Sequence, residues 1–211
     1  VIIRAVEEAR RIFERMTGYA IFRIAETMRV LLFVTASILA FQIYPVTPIM
    51  IVLLAILNDI PIMTIARDNV PTANEPVRWD MKRVLSQASV LSITGVISTF
   101  LLLWYLRQHT GLSAGAVQTM IFLKLLVAGH TTLFATRTKY WFWQKPWPDW
   151  VLFVTLEGTQ VIGTLVAVYG ILVPSIGWPH ALAIWAYALV WLPINNTAKV
   201  LVAKWLERPE K

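Results

Sequence analysis

The sequence predicts an all-α fold: a polytopic bundle of six transmembrane helices preceded by an amphipathic stalk helix. Three observations predict it. Hydrophobic residues make up 57% of the 211 and charged residues only 15%, with a mean hydropathy of +0.63, so most of the chain has lipid as its solvent. Six stretches approach the roughly 20 predominantly apolar residues that a spanning helix needs. The basic excess, 19 against 12 acidic, could suggest nucleic acid, but its placement fits the positive-inside rule of membrane proteins better.

Residues 1–20 place Ile3, Val6, Ala9, Phe13, Met16 and Ala20 three or four apart, with Arg4, Glu7, Glu8, Arg10, Arg11, Glu14 and Arg15 largely on other faces. That pattern is a helix wetted on one side. Only Gly18 interrupts it before the apolar run that begins at Ile21, so stalk and first span are expected to be one continuous helix. The spans run at about 21–41, 46–66, 84–106, 116–136, 150–172 and 178–201 within a membrane domain of 21–206, and 207–211 form a short tail. Pro45, Pro48, Pro71, Pro76, Gly111, Gly115, Pro146, Pro148, Pro174 and Gly177 punctuate the connections. The chain opens at Val1 with a charged amphipathic segment in place of a signal peptide, and is read as a piece of a longer protein.

Lys and Arg set the orientation. Sixteen of the 19 lie at the two ends, in 67–83 and in 137–145, with Arg23 counted among them. Arg107 stands alone on the opposite side, and Arg29 and Lys124 lie inside spans. Both ends of the chain are therefore expected to be cytoplasmic. Trp141, Trp143, Trp147 and Trp150 read as an interfacial belt in preference to a cation-binding cage.

Ionisable groups inside spans cost about 2.5–3.5 kcal/mol at a helix centre and mark function. The second span carries Asn58 and Asp59, followed by Pro61. Proline has no N–H, so the Leu57 carbonyl four residues back is freed beside the carboxylate. A buried acid, an amide and a loosened backbone are the parts of an ion site in a broken helix. Arg29 lies fifteen residues before Tyr44, in the short connecting turn, and Asp59 fifteen after. At about 1.5 Å per residue both fall roughly 20 Å below that turn, which leads to the expectation of an intramembrane Arg29–Asp59 pair, either functional or a static bridge. Glu26, one turn from Arg29, is a second partner or faces cytoplasmic water. Lys124 and His130 are candidate pathway residues; Lys124 is expected to pair or to snorkel, and His130 to hydrogen-bond between helices. Glu157 reads as structural. The Asn195-Asn196-Thr197 sequon falls inside the last span and is discounted.

With no cysteine there is neither a disulfide nor a thiolate metal site, and no metal ligand set is expected. No Walker loop, kinase-type glycine loop or HExxH occurs, so no catalytic residue is assigned within the chain and no cofactor is expected on it.

The run ILNDIPIMTIARDNV, Ile56 to Val70, resembles the sixth transmembrane helix and following loop of the plasma-membrane H⁺-ATPases, the type III P-type pumps. RRIFERM, Arg10 to Met16, resembles the stalk into their fifth helix, ETMRV, Glu26 to Val30, places Arg29 on the family's membrane arginine, and FATR, Phe134 to Arg137, ends the fourth span as their eighth helix ends. The resemblance covers the whole chain as helices five to ten and implies that Asp59 is the proton-carrying aspartate. Ile60-Pro61 departs from the Gly-Thr of plant and fungal pumps and looks like the prokaryotic branch. Tail autoinhibition, which would need a long C-terminal regulatory segment, is not carried over to this sequence.

The resemblance further implies that the phosphorylated aspartate of the DKTGT motif, the TGES loop, the ATP- and Mg-binding domains and the first four helices lie upstream. Proton, bilayer and those upstream parts are then the partners, with no nucleic acid, in the plasma membrane. One carboxylate beside a fixed cation suits a proton and suits Ca²⁺ poorly. A Mg²⁺ or Na⁺ pump, a stand-alone six-helix transporter and an inert anchor are the alternatives. Desolvation favours a protonated carboxyl and a nearby guanidinium an ionised one, so motion of Arg29 relative to Asp59 is the expected lever for loading and release.

Overall fold

The computed structural model describes residues 2–71, 79–138 and 141–206. Val1, Pro76, Arg78, Lys139 and the tail 207–211 with Arg208 and Lys211, which carry part of the expected topology, lie outside the described residues. Six α-helices follow in order: α1 (Ile2–Phe41), α2 (Pro48–Thr64, then a 3₁₀ turn Ile65–Arg67), α3 (Met81–His109), α4 (Ala114–Thr136), α5 (Trp150–Tyr169) and α6 (Gly177–Leu206). No strand occurs among the described residues.

The helix starts are written in their caps. Thr47, Asp80, Ser113 and Asp149 precede α2, α3, α4 and α5, and each side chain accepts a hydrogen bond from a backbone N–H of the first turn, satisfying donors that have no intrahelical partner. Pro48 opens α2, where its missing N–H costs nothing. Gly170, at φ 75°, closes α5 in the left-handed conformation that glycine adopts without a Cβ clash. Gly18 leaves α1 unbroken through 40 residues.

Among the described residues five helices, α1 to α5, are long and apolar enough to cross a membrane. α6 has 30 residues but is interrupted by His180, Asn195, Asn196 and Lys199, so a sixth crossing rests on its length and its place in the bundle. α4 is the axis of the assembly. Its residues from Thr119 to Leu133 are all buried, because it packs against α1, α2, α3, α5 and α6. The main core gathers Phe33, Met50, Leu54, Leu103, Phe122 and Leu126 around it. By contrast α1 and α2 keep one apolar face open, with Leu31, Ile51, Ile56 and Met63 exposed, as suits helices that meet lipid or further helices.

Candidate functional site

Three helices converge on a buried polar cluster. On α1, Glu26 and Arg29 stand three apart on one face, and Arg29, 1% exposed, donates from Nη2 to Glu26 Oε2. Its Nη1 donates to Thr132 Oγ1 at 3.1 Å and the Ala128 carbonyl at 3.4 Å on α4. The side chain reaches them across α3 at Gly95, where Arg29 Cδ lies so close that any Cβ would collide with it. From α2, Asn58 turns its amide into the same cluster and is 5% exposed. Glycine at 129 on α4 lets the three meet: Asn58 Oδ1, Arg29 Nη2 and Glu26 Oε1 lie 3.3, 3.4 and 3.4 Å from the point a Cβ there would occupy.

Asp59 is elsewhere. Its carboxylate accepts from Arg23 Nη1 at 2.8 Å, and the two side chains are 48% and 45% exposed within this chain. The expected Arg29–Asp59 pair is therefore replaced by two separate pairs, Arg29–Glu26 inside and Arg23–Asp59 outside. Axial spacing put Arg29 and Asp59 at one depth, but depth says nothing of azimuth. Adjacent helical positions differ by about 100°, so the face of α2 that meets Arg29 presents Asn58 and turns Asp59 away. Glu26 does not face water; it is buried as the partner of Arg29.

His130 is fully buried on α4 and faces the Leu57 backbone, the segment whose carbonyl Pro61 leaves unclaimed, without reaching strict hydrogen-bond geometry. Lys124 neither pairs with a carboxylate nor snorkels. Its Nζ donates to Ser98 Oγ at 2.6 Å, to Thr99 Oγ1 and to the Gly95 carbonyl at 3.3 Å, all on α3. Gly95 thus has Arg29 on its Cα and Lys124 on its carbonyl. Glu157 lines an aromatic groove of about 460 Å³ with Trp147, Trp150, Phe153 and Trp185, and Thr131 of α4, between His130 and Thr132, lines it too. Asn195 is buried in α6, a position closed to a glycosyl acceptor. Trp141 and Trp143 stack at 4.8 Å, while Trp147 and Trp150 are exposed, as in an interfacial belt.

One centre escaped the sequence reading. Asp68, fully buried after the 3₁₀ turn, accepts from Arg137 Nε at 2.7 Å and Nη2 at 2.9 Å. It also accepts from the Asp149 N–H at 3.1 Å, and its own carbonyl takes Arg15 Nε at 2.8 Å. The stalk part of α1, the end of α2, the end of α4 and the start of α5 are thereby pinned at one residue. Lys199 of α6 adds bonds to the carbonyls of Ala135 and Thr138 at 2.7 and 2.8 Å. Asp68 and Arg137 stand in the DNV and FATR segments, but 69 residues of separation gave no reason to pair them. Among the described residues no group of three or more His, Cys, Asp and Glu is placed to hold a metal ion.

No family model matches the chain. It is 48% identical over 207 residues, 98% of its own length, to a protein of Methanocaldococcus jannaschii named "Putative cation-transporting ATPase MJ1226". The chain is a multi-pass helical membrane protein. It spans about a quarter of the length of that curated relative, 26%, so the open faces of α1 and α2 belong to a segment whose relative is much longer.

Proposed function

We propose that this chain is part of the membrane domain of a P-type cation-transporting ATPase, that its cation is the proton, and that Asp59 carries it. The similarity to a protein named as a cation-transporting ATPase supports the pump class. For the ion, one observation carries the reading: each carboxylate within the spans that meets a basic partner meets a guanidinium, Asp59 with Arg23 and Glu26 with Arg29. A guanidinium beside a carboxylate repels a metal cation competing for the same oxygens, whereas a proton binds the oxygen itself and leaves a neutral acid. Asp59 stands on the half-exposed face, where helices of a longer protein would complete a path to it. Arg29, locked among Glu26, Thr132 and Ala128, supplies the fixed positive charge behind that face.

In this reading the ATP and Mg chemistry belongs to domains outside the chain, both ends of the chain are cytoplasmic, and the pump sits in the plasma membrane. The energy demand is about 2.3 kcal/mol per charge per 100 mV of membrane potential, which sets what hydrolysis must deliver through α1. Asp59→Asn preserves shape and removes the titrating group. The complete pump, reconstituted in vesicles, is expected to lose ATP-driven acidification with this change. Acidification at the wild-type rate would falsify Asp59 as carrier. ATP-driven uptake of Na⁺ or Mg²⁺ that persists with a protonophore present would move the chain to another ion.

A further inference from the structure

We propose that Gly95, Ser98 and Thr99 of α3 form a site for a primary ammonium group, that Lys124 of α4 fills it from within the chain, and that this clamp positions Arg29. Lys124 is 1% exposed, and among the described residues no ion pair includes it. Its Nζ instead donates to the Ser98 and Thr99 hydroxyls and the Gly95 carbonyl, on residues that are themselves buried. Both hydroxyls also donate to that carbonyl, from 2.9 Å at Ser98 Oγ and 2.7 Å at Thr99 Oγ1. With their hydrogens so committed, each presents a lone pair to Nζ. The Tyr187 hydroxyl of α6 donates to the Ser98 carbonyl at 2.8 Å and ties the same turn of α3 to a third helix.

Three oxygens without a carboxylate select the occupant. An ammonium group has three hydrogens and no lone pair, so it satisfies all three acceptors. A neutral amine has two hydrogens and would turn its own lone pair on the third oxygen. Oxygen dipoles stand in for the water that a buried charge gives up, as carbonyls do for ions in a channel filter. A Ca²⁺ ion takes about six to eight oxygens, carboxylates among them, which this set does not supply. The clamp also meets Arg29 at Gly95. The Gly95 carbonyl takes Lys124, and the space where a side chain would stand is filled by the Arg29 stem. Lys124 therefore holds α3 to α4 at the residue Arg29 crosses on its way to Ala128 and Thr132. It is a positioning residue, acting through Arg29. The ammonium site stands on these contacts, while its effect on ATP hydrolysis rests on the pump reading above.

The test is chemical rescue. Lys124→Ala removes a propylammonium group, so n-propylammonium is the probe, supplied to the complete pump from solubilisation onward. Tetramethylammonium, charged but without N–H, and 1-propanol, uncharged, are the controls. Lys124→Ala is expected to lower Tm, and n-propylammonium to raise it again with the logarithm of its concentration, as binding to the folded state requires. Neither control should do so. A Tm equal to that of the wild type, or one that the three solutes move alike or not at all, overturns the site. If Lys124→Ala does not fold, Ser98→Ala with Thr99→Val carries the test. That pair strands the ammonium and should lower Tm, and adding Lys124→Met should restore it. A pair as stable as the wild type, or a loss that Lys124→Met does not restore, overturns the site. ATP hydrolysis by Lys124→Ala should fall roughly tenfold, the scale of changes along a coupling path, and return with n-propylammonium. Unchanged hydrolysis beside the expected Tm pattern overturns the positioning role and leaves the site. A wild-type protein that hydrolyses no ATP, with the Tm pattern as expected, overturns the pump reading alone.

Discussion

Asn58 and Asp59 are adjacent in α2 and face opposite environments: Asn58 points into the Glu26–Arg29 cluster at Gly129, and Asp59 holds Arg23 at 2.8 Å on the open face. One helix thus carries an inner, uncharged contact to the bundle and an outer, titratable group, a single residue apart. The division places the stabilising ion pair and the proposed carrier on different pairs of side chains, so their roles separate by mutation.

Arg29→Met is expected to destabilise the protein by about 3–5 kcal/mol, because it strands the buried Glu26 carboxylate without its partner. Combining it with Glu26→Gln should recover most of that loss, since removing both members of a buried pair can be nearly neutral. Thermal denaturation in detergent measures both, and a double variant no more stable than Arg29→Met would show that the pair is not the cause.

Asp68→Ala should cost about as much, roughly 3–5 kcal/mol, by leaving Arg137 buried and unpaired. It also releases the Asp149 N–H at the start of α5. The stalk bond from Arg15 goes to the Asp68 carbonyl and is lost only if the loop shifts. In the complete pump we expect fewer ions moved per ATP hydrolysed, because motion of the stalk no longer reaches α4 and α5 through one rigid point. An unchanged ratio would confine Asp68 to a structural role.

The topology is tested with single cysteines, which the native chain lacks. Gln108→Cys, exposed at the end of α3, should react in whole cells with an impermeant maleimide added outside. Glu7→Cys in the exposed start of α1 should not. The opposite pattern would invert the orientation.

Composition and hydropathy determined the helical membrane class, because partition into lipid depends on apolar content and length, both of which are local. Capping residues such as Asp80, Ser113 and Asp149 likewise mark their helix starts without help from the rest of the chain. Polar residues inside apolar runs drew attention to Glu26, Arg29, Asn58, Leu57 and His130, and these gather around α4. Only the tertiary structure decided who faces whom. Arg29 meets Glu26 and Asn58 while Asp59 turns to Arg23, since the azimuth of each helix follows from how all six pack. Lys124 finds hydroxyls and a carbonyl on α3, and Asp68 finds Arg137 across 69 residues. Axial rise is a property of one helix and can be counted along a sequence. The facing of side chains is a property of the packed bundle and cannot.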